Sequence, residues 1–273
     1  MTGGSAYVEG IGLWSPRLPG WEAARATLRG EALAPAPAAG RPAAALLPPT
    51  ERRRAPDAVL IALEVASNAC AMAQRDPKTL ASVFASTYGD LVISDYMCAT
   101  LADNPALISP TKFHNSVHNA PAGYWTIATG ALAPYTALTA YRYTFGTALL
   151  TSLTQLASDT APVLCVAYDI EARGPLATMA DSRGLLGVAL VLAPERTAAS
   201  RARLAWQVRC GEARDSVPRA QNAALAAGNA MAGCLALAEA LADALPRQLV
   251  QSLAPRLAIE LSVVPVAGAS TAP

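Results

Sequence analysis

Apolar positions along the chain follow two rhythms, dense short runs and stripes recurring roughly every three to four residues, the marks of strands and helices. The run APVLCVAYDI (161–170) is apolar almost throughout and predicts a strand buried on both faces at the centre of a sheet. AYVEGIGLWSP (6–16) predicts a first strand ending in a Gly/Pro turn, and ASVFAST (81–87) and PYTALTA (134–140) predict two short ones. RGLLGVALVLAPE (183–195) and ARLAWQVRC (202–210) read as the two strands of a hairpin, and PRLAIELSVV (255–264) as the last strand. Helical spacing runs through PPTERRRAPDAVLIALEVASNACAMAQ (48–74), with Thr50 as N-cap. It recurs in YGDLVISDYMCATLAD (88–103), YTFGTALLTSLTQLAS (143–158) and RAQNAALAAGNAMAGCLALAEALADAL (219–245). The Pro/Ala-rich stretch 34–49 cannot hold a regular helix and reads as a surface loop. Strands alternating with helices describe an α/β fold with a mixed sheet, one domain over 1–266 and a disordered tail, AGASTAP (267–273).

Composition narrows the partners. The 273 residues are 53% hydrophobic and 15% charged, enough for a large core and far from the signature of disorder. A net charge of +1 gives no reason to propose nucleic acid or an anionic membrane as partner. Low charge on an apolar chain points to a surface covered by another chain. The N-terminus lacks a signal-peptide pattern, and GLLGVALVLAP is about half the length a helical membrane span needs. Five scattered cysteines (Cys70, Cys98, Cys165, Cys210, Cys234) suit a reducing cytoplasm and form neither a disulfide framework nor a zinc ribbon; Cys165 reads as a buried strand residue.

The stretch LTAYRYTFGTALL (138–150) carries a strand straight into a helix, the turn where many α/β enzymes place a nucleophile against a helix N-terminus. Here the turn holds Tyr141, Arg142 and Tyr143. The two histidines, His114 and His118, are four apart in FHNSVHN; a metal site would need a third ligand, and none is near. Hydrogen bonding by these histidines, Asn115 and Asn119 in a buried turn or an interface is the simpler reading. ERRR (51–54) reads as a solvated first helical turn rather than a docking patch for an acidic partner. No Gly-rich phosphate loop or Gly-x-Ser-x-Gly elbow is present, no cofactor is implied, and the single acids Asp90, Asp95, Asp169 and Asp181 cannot be paired from sequence.

The order LPPTERRR, VFASTYGD, ISPTKFHNSVHNAPAGYWTIATG, LTAYRYTFGTALL and GLLGVALVLAPE resembles the N-terminal half of a β-ketoacyl synthase, PTKFHNSVHNAPAG being the most specific match. More narrowly it is similar to the short synthase-like, chain-length-factor-like subunits of aryl polyene and related pigment pathways, from about residue 6 to about residue 265. The resemblance implies a thiolase-like half-fold, a mixed five-stranded sheet between helices. It also implies that Tyr141 stands where the catalytic cysteine would be, and that the half supplying the other catalytic groups has no counterpart.

A phenol without an adjacent base is a poor thioester nucleophile at neutral pH. The turn therefore reads as the relic of an active site, filled and packed by Tyr141, Tyr143 and Phe145. The implied function is that of a non-catalytic partner of a full-length β-ketoacyl synthase, shaping its acyl tunnel across a heterodimer interface, with an acyl carrier protein as a further contact. Lys112, Phe113, His114, Asn115, His118, Asn119, Tyr124 and Trp125, with Tyr141, Tyr143 and Phe145, are the residues this reading places at the interface or tunnel. Two rival readings stand beside it. One is a stand-alone acyltransferase or thioester hydrolase using Ser116, Cys98 or a tyrosine; the other is a homodimeric scaffold.

Overall fold

The first strand, β1 (Gly3–Ser15), is the axis of the molecule in the computed structural model, which describes residues 3–37, 40–180 and 182–266. The tail expected at 267–273 and Asp181 lie outside the described residues. After β1 come β2 (Leu18–Pro19), α1 (Trp21–Arg29), α2 (Pro49–Arg54), α3 (Asp57–Ala73), β3 (Ala81–Ala85) and α4 (Leu91–Asp103). They are followed by α5 (Pro110–Asn115), α6 (Ala120–Thr129), β4 (Tyr135–Leu138), α7 (Thr144–Asp159), β5 (Val163–Asp169) and β6 (Leu186–Ala193). The chain closes through β7 (Ala202–Cys210), α8 (Ala220–Ala223), α9 (Cys234–Ala242), β8 (Arg247–Ala254) and β9 (Leu257–Pro265).

Among the described residues the strands make one sheet in the order β4-β3-β5-β6-β1-β7-β9-β8, with β2 beside the end of β1. β3 runs parallel to β4 and β5; the other ladders are antiparallel. The expected five-strand block, β4 to β1, is thus present and continues through β7, β9 and β8. One face is covered by α1, α7 and α9, the other by α3 and α6, each with its own apolar cluster.

β1 changes the parity of its inward residues at a bulge between Val8 and Gly10. Ala6, Val8, Ile11 and Leu13 therefore pack under α1, α7 and α9, while Gly10 and Gly12 face α3. A Cβ on either glycine would lie 1.9 Å from a backbone oxygen of α3, on Ala69 or Val65, so only glycine lets this helix lie directly on the strand. Glu9, at the bulge, is fully buried and takes two hydrogen bonds from Arg75 (2.8 and 2.9 Å) and one from Thr197 Oγ1 (2.5 Å). The buried charge is thereby paired and hydrogen-bonded, the condition for tolerating it.

Three local expectations are corrected. β6 and β7 are not a hairpin; they flank β1 on opposite sides, and their connection crosses the strand to reach Glu9, Arg201 Nε donating to the Glu9 carbonyl at 3.2 Å. The helix of 48–74 divides at Pro56, before which Ala55 is extended, so Thr50 lies inside α2 and caps nothing. The helix of 219–245 is broken between α8 and α9, where Gly228 takes a left-handed φ of 79° and Asn229 hydrogen-bonds backbone groups of Asp169, Arg183 and Met231. Helix α1 and strand β8 are additions to the expected elements; α1 is a regular amphipathic helix that buries Trp21, Ala24, Thr27 and Leu28 and ends at Gly30 with a left-handed φ of 78°.

Replacing Gly12 by Ala is expected to cost about 3 kcal/mol or more, because the clash is with backbone and cannot be relieved by a rotamer change. Denaturant unfolding of the variant against the parent chain measures it.

Candidate functional site

The C-terminal ends of the parallel strands β3, β4 and β5 meet at one end of the sheet, where open α/β sheets gather their functional loops. Asp169 closes β5 there, fully buried, and organises the loop after β3. Its carboxylate accepts from Ser86 Oγ (2.8 Å), Thr87 N (3.0 Å) and Tyr88 N (3.3 Å). Burial pushes its pKa up, and those hydrogen bonds pull against the shift. Ser86 Oγ in turn accepts from Gly89 N (2.9 Å), so a short loop is held by one acid.

The turn of Tyr141 lies next to it. Tyr141 has a left-handed φ of 54°, unfavourable by about 1 kcal/mol for a side chain with a Cβ. Thr144 holds that geometry: its hydroxyl donates to the Tyr141 carbonyl (2.6 Å) and accepts from Ala140 N (3.0 Å), and it is buried as the first residue of α7. Thr139 ties the turn to the β3 loop by donating to the Thr87 carbonyl (2.9 Å). The Tyr141 ring meets Tyr88 edge-on with centroids 6.4 Å apart, and the Arg142 guanidinium is 5.3 Å from its centroid.

The expectation of a filled, packed turn is corrected. Tyr141 is 56% exposed and Tyr143 half-buried; only Phe145 is packed, in the core beneath α7. The turn follows β4 directly, with Tyr141 and Arg142 exposed.

α5 and α6, joined by residues 116–119, carry the FHNSVHN motif. Proline at the start of each and Ser109 capping α5 define these short helices. His118 donates through Nε2 to the Ser86 carbonyl (2.9 Å), since a carbonyl can only accept, and so pins the turn to the end of β3. His114 rests against Tyr124 (6.2 Å), and Lys112 Nζ lies 3.6 Å above the Tyr96 ring. Asn119 donates to Tyr135 Oη (3.0 Å), joining the turn to β4. The two histidines thus serve separate contacts, and among the described residues no three His, Cys, Asp or Glu side chains gather to hold a metal.

Of the residues singled out by sequence, Lys112, Phe113, His114, Asn119 and Tyr141 are exposed, and His118, Tyr124 and Tyr143 are half-buried. Trp125, Phe145 and Asn115 are buried: Trp125 packs on Phe84 (6.3 Å) in the cluster under α3, which removes it and Phe145 from any surface a partner could touch. Apolar spacing marked these two as notable without revealing which way they face. Exposed apolar side chains that sequence reading missed adjoin the motif: Val117, Ile127, Leu132 and Tyr135. Only their failure to be buried identifies them, and no sequence pattern encodes that.

β4 ends the sheet, and among the described residues no strand pairs with its outer side. The Pro134 and Leu138 carbonyls bond β3, so by alternation Tyr135 and Ala137 turn their backbone groups outward. The opposite edge is closed: Ser216 and Asp215 bond the backbone of Val250 and Ser252 on β8. Lys112 and Asn115 line a cavity of about 430 Å³ whose walls include Arg41, Arg54, Arg173, Asp57, Asp90 and Glu171. Those charges make it unsuited to a bare acyl chain.

A family model described as β-ketoacyl synthase, N-terminal domain, matches residues 21–250. No curated protein sequence matches the chain. Among solved structures, a ketosynthase (ApeO) in complex with its chain length factor (ApeC) from Xenorhabdus doucetiae matches with a TM-score of 0.69 and 19% identity, over 94% of this chain and 99% of that one. The ishigamide ketosynthase/chain length factor gives 0.66 and 16%, over 96% and 100%. A type II polyketide acyl carrier protein in complex with its hexaketide-bound ketosynthase (AntDE:AntF) gives 0.72 and 11%, over 97% and 100%. At these identities the likeness is one of fold, the thiolase-like α/β architecture of ketosynthases. Among the described residues no helix is long and apolar enough to cross a membrane.

Asp169→Asn is expected to destabilise the chain by about 2 kcal/mol, because the new amide N–H₂ faces a backbone N–H of Thr87 or Tyr88. A carboxyl with a raised folded-state pKa binds its proton more tightly folded than unfolded. Its contribution is therefore complete at low pH and declines as pH rises from the ordinary carboxylate range through the folded value. Unfolding free energies across that window should decline less steeply for the variant than for the parent.

Proposed function

Because the chain belongs to the β-ketoacyl synthase N-terminal-domain family, we propose that it is a non-catalytic, chain-length-factor-like partner of a full-length β-ketoacyl synthase in polyene or type II polyketide-type biosynthesis. The observation that carries this reading is the open outer edge of β4, on which Tyr135 is exposed, followed directly by the exposed turn of Tyr141. An unpaired strand with exposed apolar side chains is a surface for strand addition by another chain. The family match and the ketosynthase complexes of similar fold support a synthase as that chain.

The chemistry of the turn supports the non-catalytic part. In this reading Tyr141 takes the position of the nucleophile, and His118, on the α5–α6 turn, has its Nε2 committed to the Ser86 carbonyl. Among the described residues the Tyr141 phenol hydrogen-bonds to no side chain that could act as its base. In the assembled pair, Phe113, Tyr141 and Tyr143 face the partner and bound the acyl tunnel, while His118 and Asn119 set the position of the α5–α6 turn that presents them. The synthase covers the exposed turn of Tyr141, and an acyl carrier protein docks on the pair.

Co-expression with a full-length β-ketoacyl synthase of the same organism, followed by size-exclusion chromatography with mass determination, is expected to give a one-to-one complex. Ala137→Pro removes an outward amide while sparing the β3 ladder, so it should abolish the complex and leave the secondary structure of the chain unchanged. A complex unaffected by this variant would refute pairing through β4. In the active pair, Tyr141→Phe is expected to leave the product-forming rate unchanged, and Tyr141→Ala to shift the product length distribution. A Phe variant without activity would restore the enzymatic reading.

A further inference from the structure

Between the start of α3, the first turn of α4, α5 and the loop that follows β5 lies a hollow of about 430 Å³ that opens to solvent. Neither β4 nor the Tyr141 turn contributes a residue to it. Pro16, Pro56, Val92, Ile170 and Leu185 give it an apolar lining. The charged groups around it reach water: the Arg41, Asp57, Glu171 and Arg173 side chains are between 37% and 70% exposed.

The carboxylates here are occupied. Asp57 accepts from Arg41 Nε (2.6 Å), Asp90 accepts from Ile93 N (2.9 Å) as the N-cap of α4, and Glu171 lies 3.9 Å from Arg173. Two cations have no anionic partner. Arg54 is exposed and forms no hydrogen bond or ion pair among the described residues. Lys112 Nζ rests 3.6 Å above the Tyr96 ring and pairs with no carboxylate. A third polar group lies deeper in the lining. Asn115 is only 4% exposed, and its side chain makes no hydrogen bond among the described residues. Its Oδ1 is sealed from solvent but its Nδ2 is not, so what this side chain keeps accessible includes an N–H donor without an acceptor. An open donor and two free cations on one apolar hollow are met by an anion that carries an apolar body.

From this arrangement we infer that the hollow binds a monocarboxylate with a compact apolar body. The carboxylate accepts from Asn115 Nδ2 and takes positive charge from Arg54 and Lys112, while the body lies on Pro56, Val92 and Ile170. A bare hydrocarbon chain would leave the polar groups unmet, and an inorganic anion would leave the apolar lining wet.

Ligand-observed NMR titration of the full chain at low ionic strength tests this, with hydrocinnamate and isocaproate as probes. The controls are hydrocinnamyl alcohol, which keeps the body without the charge, and acetate, which keeps the charge without the body. At least one probe should bind with a Kd of about 1 mM or tighter, and both controls about tenfold more weakly. Preference for hydrocinnamate identifies an aryl body, and preference for isocaproate a branched alkyl one. Asn115→Leu removes the donor without breaking a hydrogen bond of the fold and should weaken binding about tenfold. Arg54→Ala, at an exposed position without partners, should weaken it about threefold. Val92→Asp, which sets a like charge on the lining, should abolish it. Circular dichroism reports whether each variant is folded. The inference is overturned if neither probe binds with a Kd below roughly 10 mM, if the controls bind as tightly, or if the folded variants all bind as the parent does. The outcome is separate from pairing through β4, which Ala137→Pro tests.

Discussion

The contact of β1 with α3 at Gly10 and Gly12 is the constraint on which the rest of this structure depends. Because a helix lies on the strand at backbone distance, α3 is enclosed on most of its circumference, which is why its sequence is apolar nearly all round rather than striped. The bulge that turns the two glycines toward α3 also buries Glu9 at the shift in register. The buried carboxylate then recruits Arg75 after α3 and Thr197 from the β6–β7 connection. One close approach thereby settles the side of β1 on which each neighbouring strand pairs.

Buried acids act as fasteners at both ends of this sheet. Glu9 gathers a connection across β1, and Asp169 gathers the loop after β3 with three hydrogen bonds. In each case the cost of burying a carboxylate is met by donors that would otherwise be loose loop groups, so the acid orders segments that apolar packing does not reach.

The sheet treats its two edges differently, and this has functional weight. β8 is closed by hydrogen bonds from Asp215 and Ser216, whereas β4 is short, open and bordered by exposed apolar side chains. The turn of Tyr141 follows β4 directly, so the strained residue and the unpaired edge belong to one surface. The Tyr141 ring stands outward on this surface.

Much of this was legible in the sequence, because strand and helix signals are local. The all-apolar run of β5, the amphipathic run of α7 and the glycine-bearing β1 stand where their patterns placed them. The ordered motifs from LPPTERRR to GLLGVALVLAPE identified the family. Local pattern could not tell that β6 and β7 part around β1, since strand pairing joins residues far apart along the chain. Nor could it tell that Gly228 and Asn229 break the last helix, because Asn229 there answers to Asp169 and Arg183. Trp125 and Tyr141 make the same point from opposite sides. Both are aromatic residues beside a motif, yet the first is core and the second surface. The sequence determined which segments form strands and helices, through periodicity and backbone preference. The tertiary structure alone decided which faces and edges remain open to a partner, because exposure is a property of the whole packing.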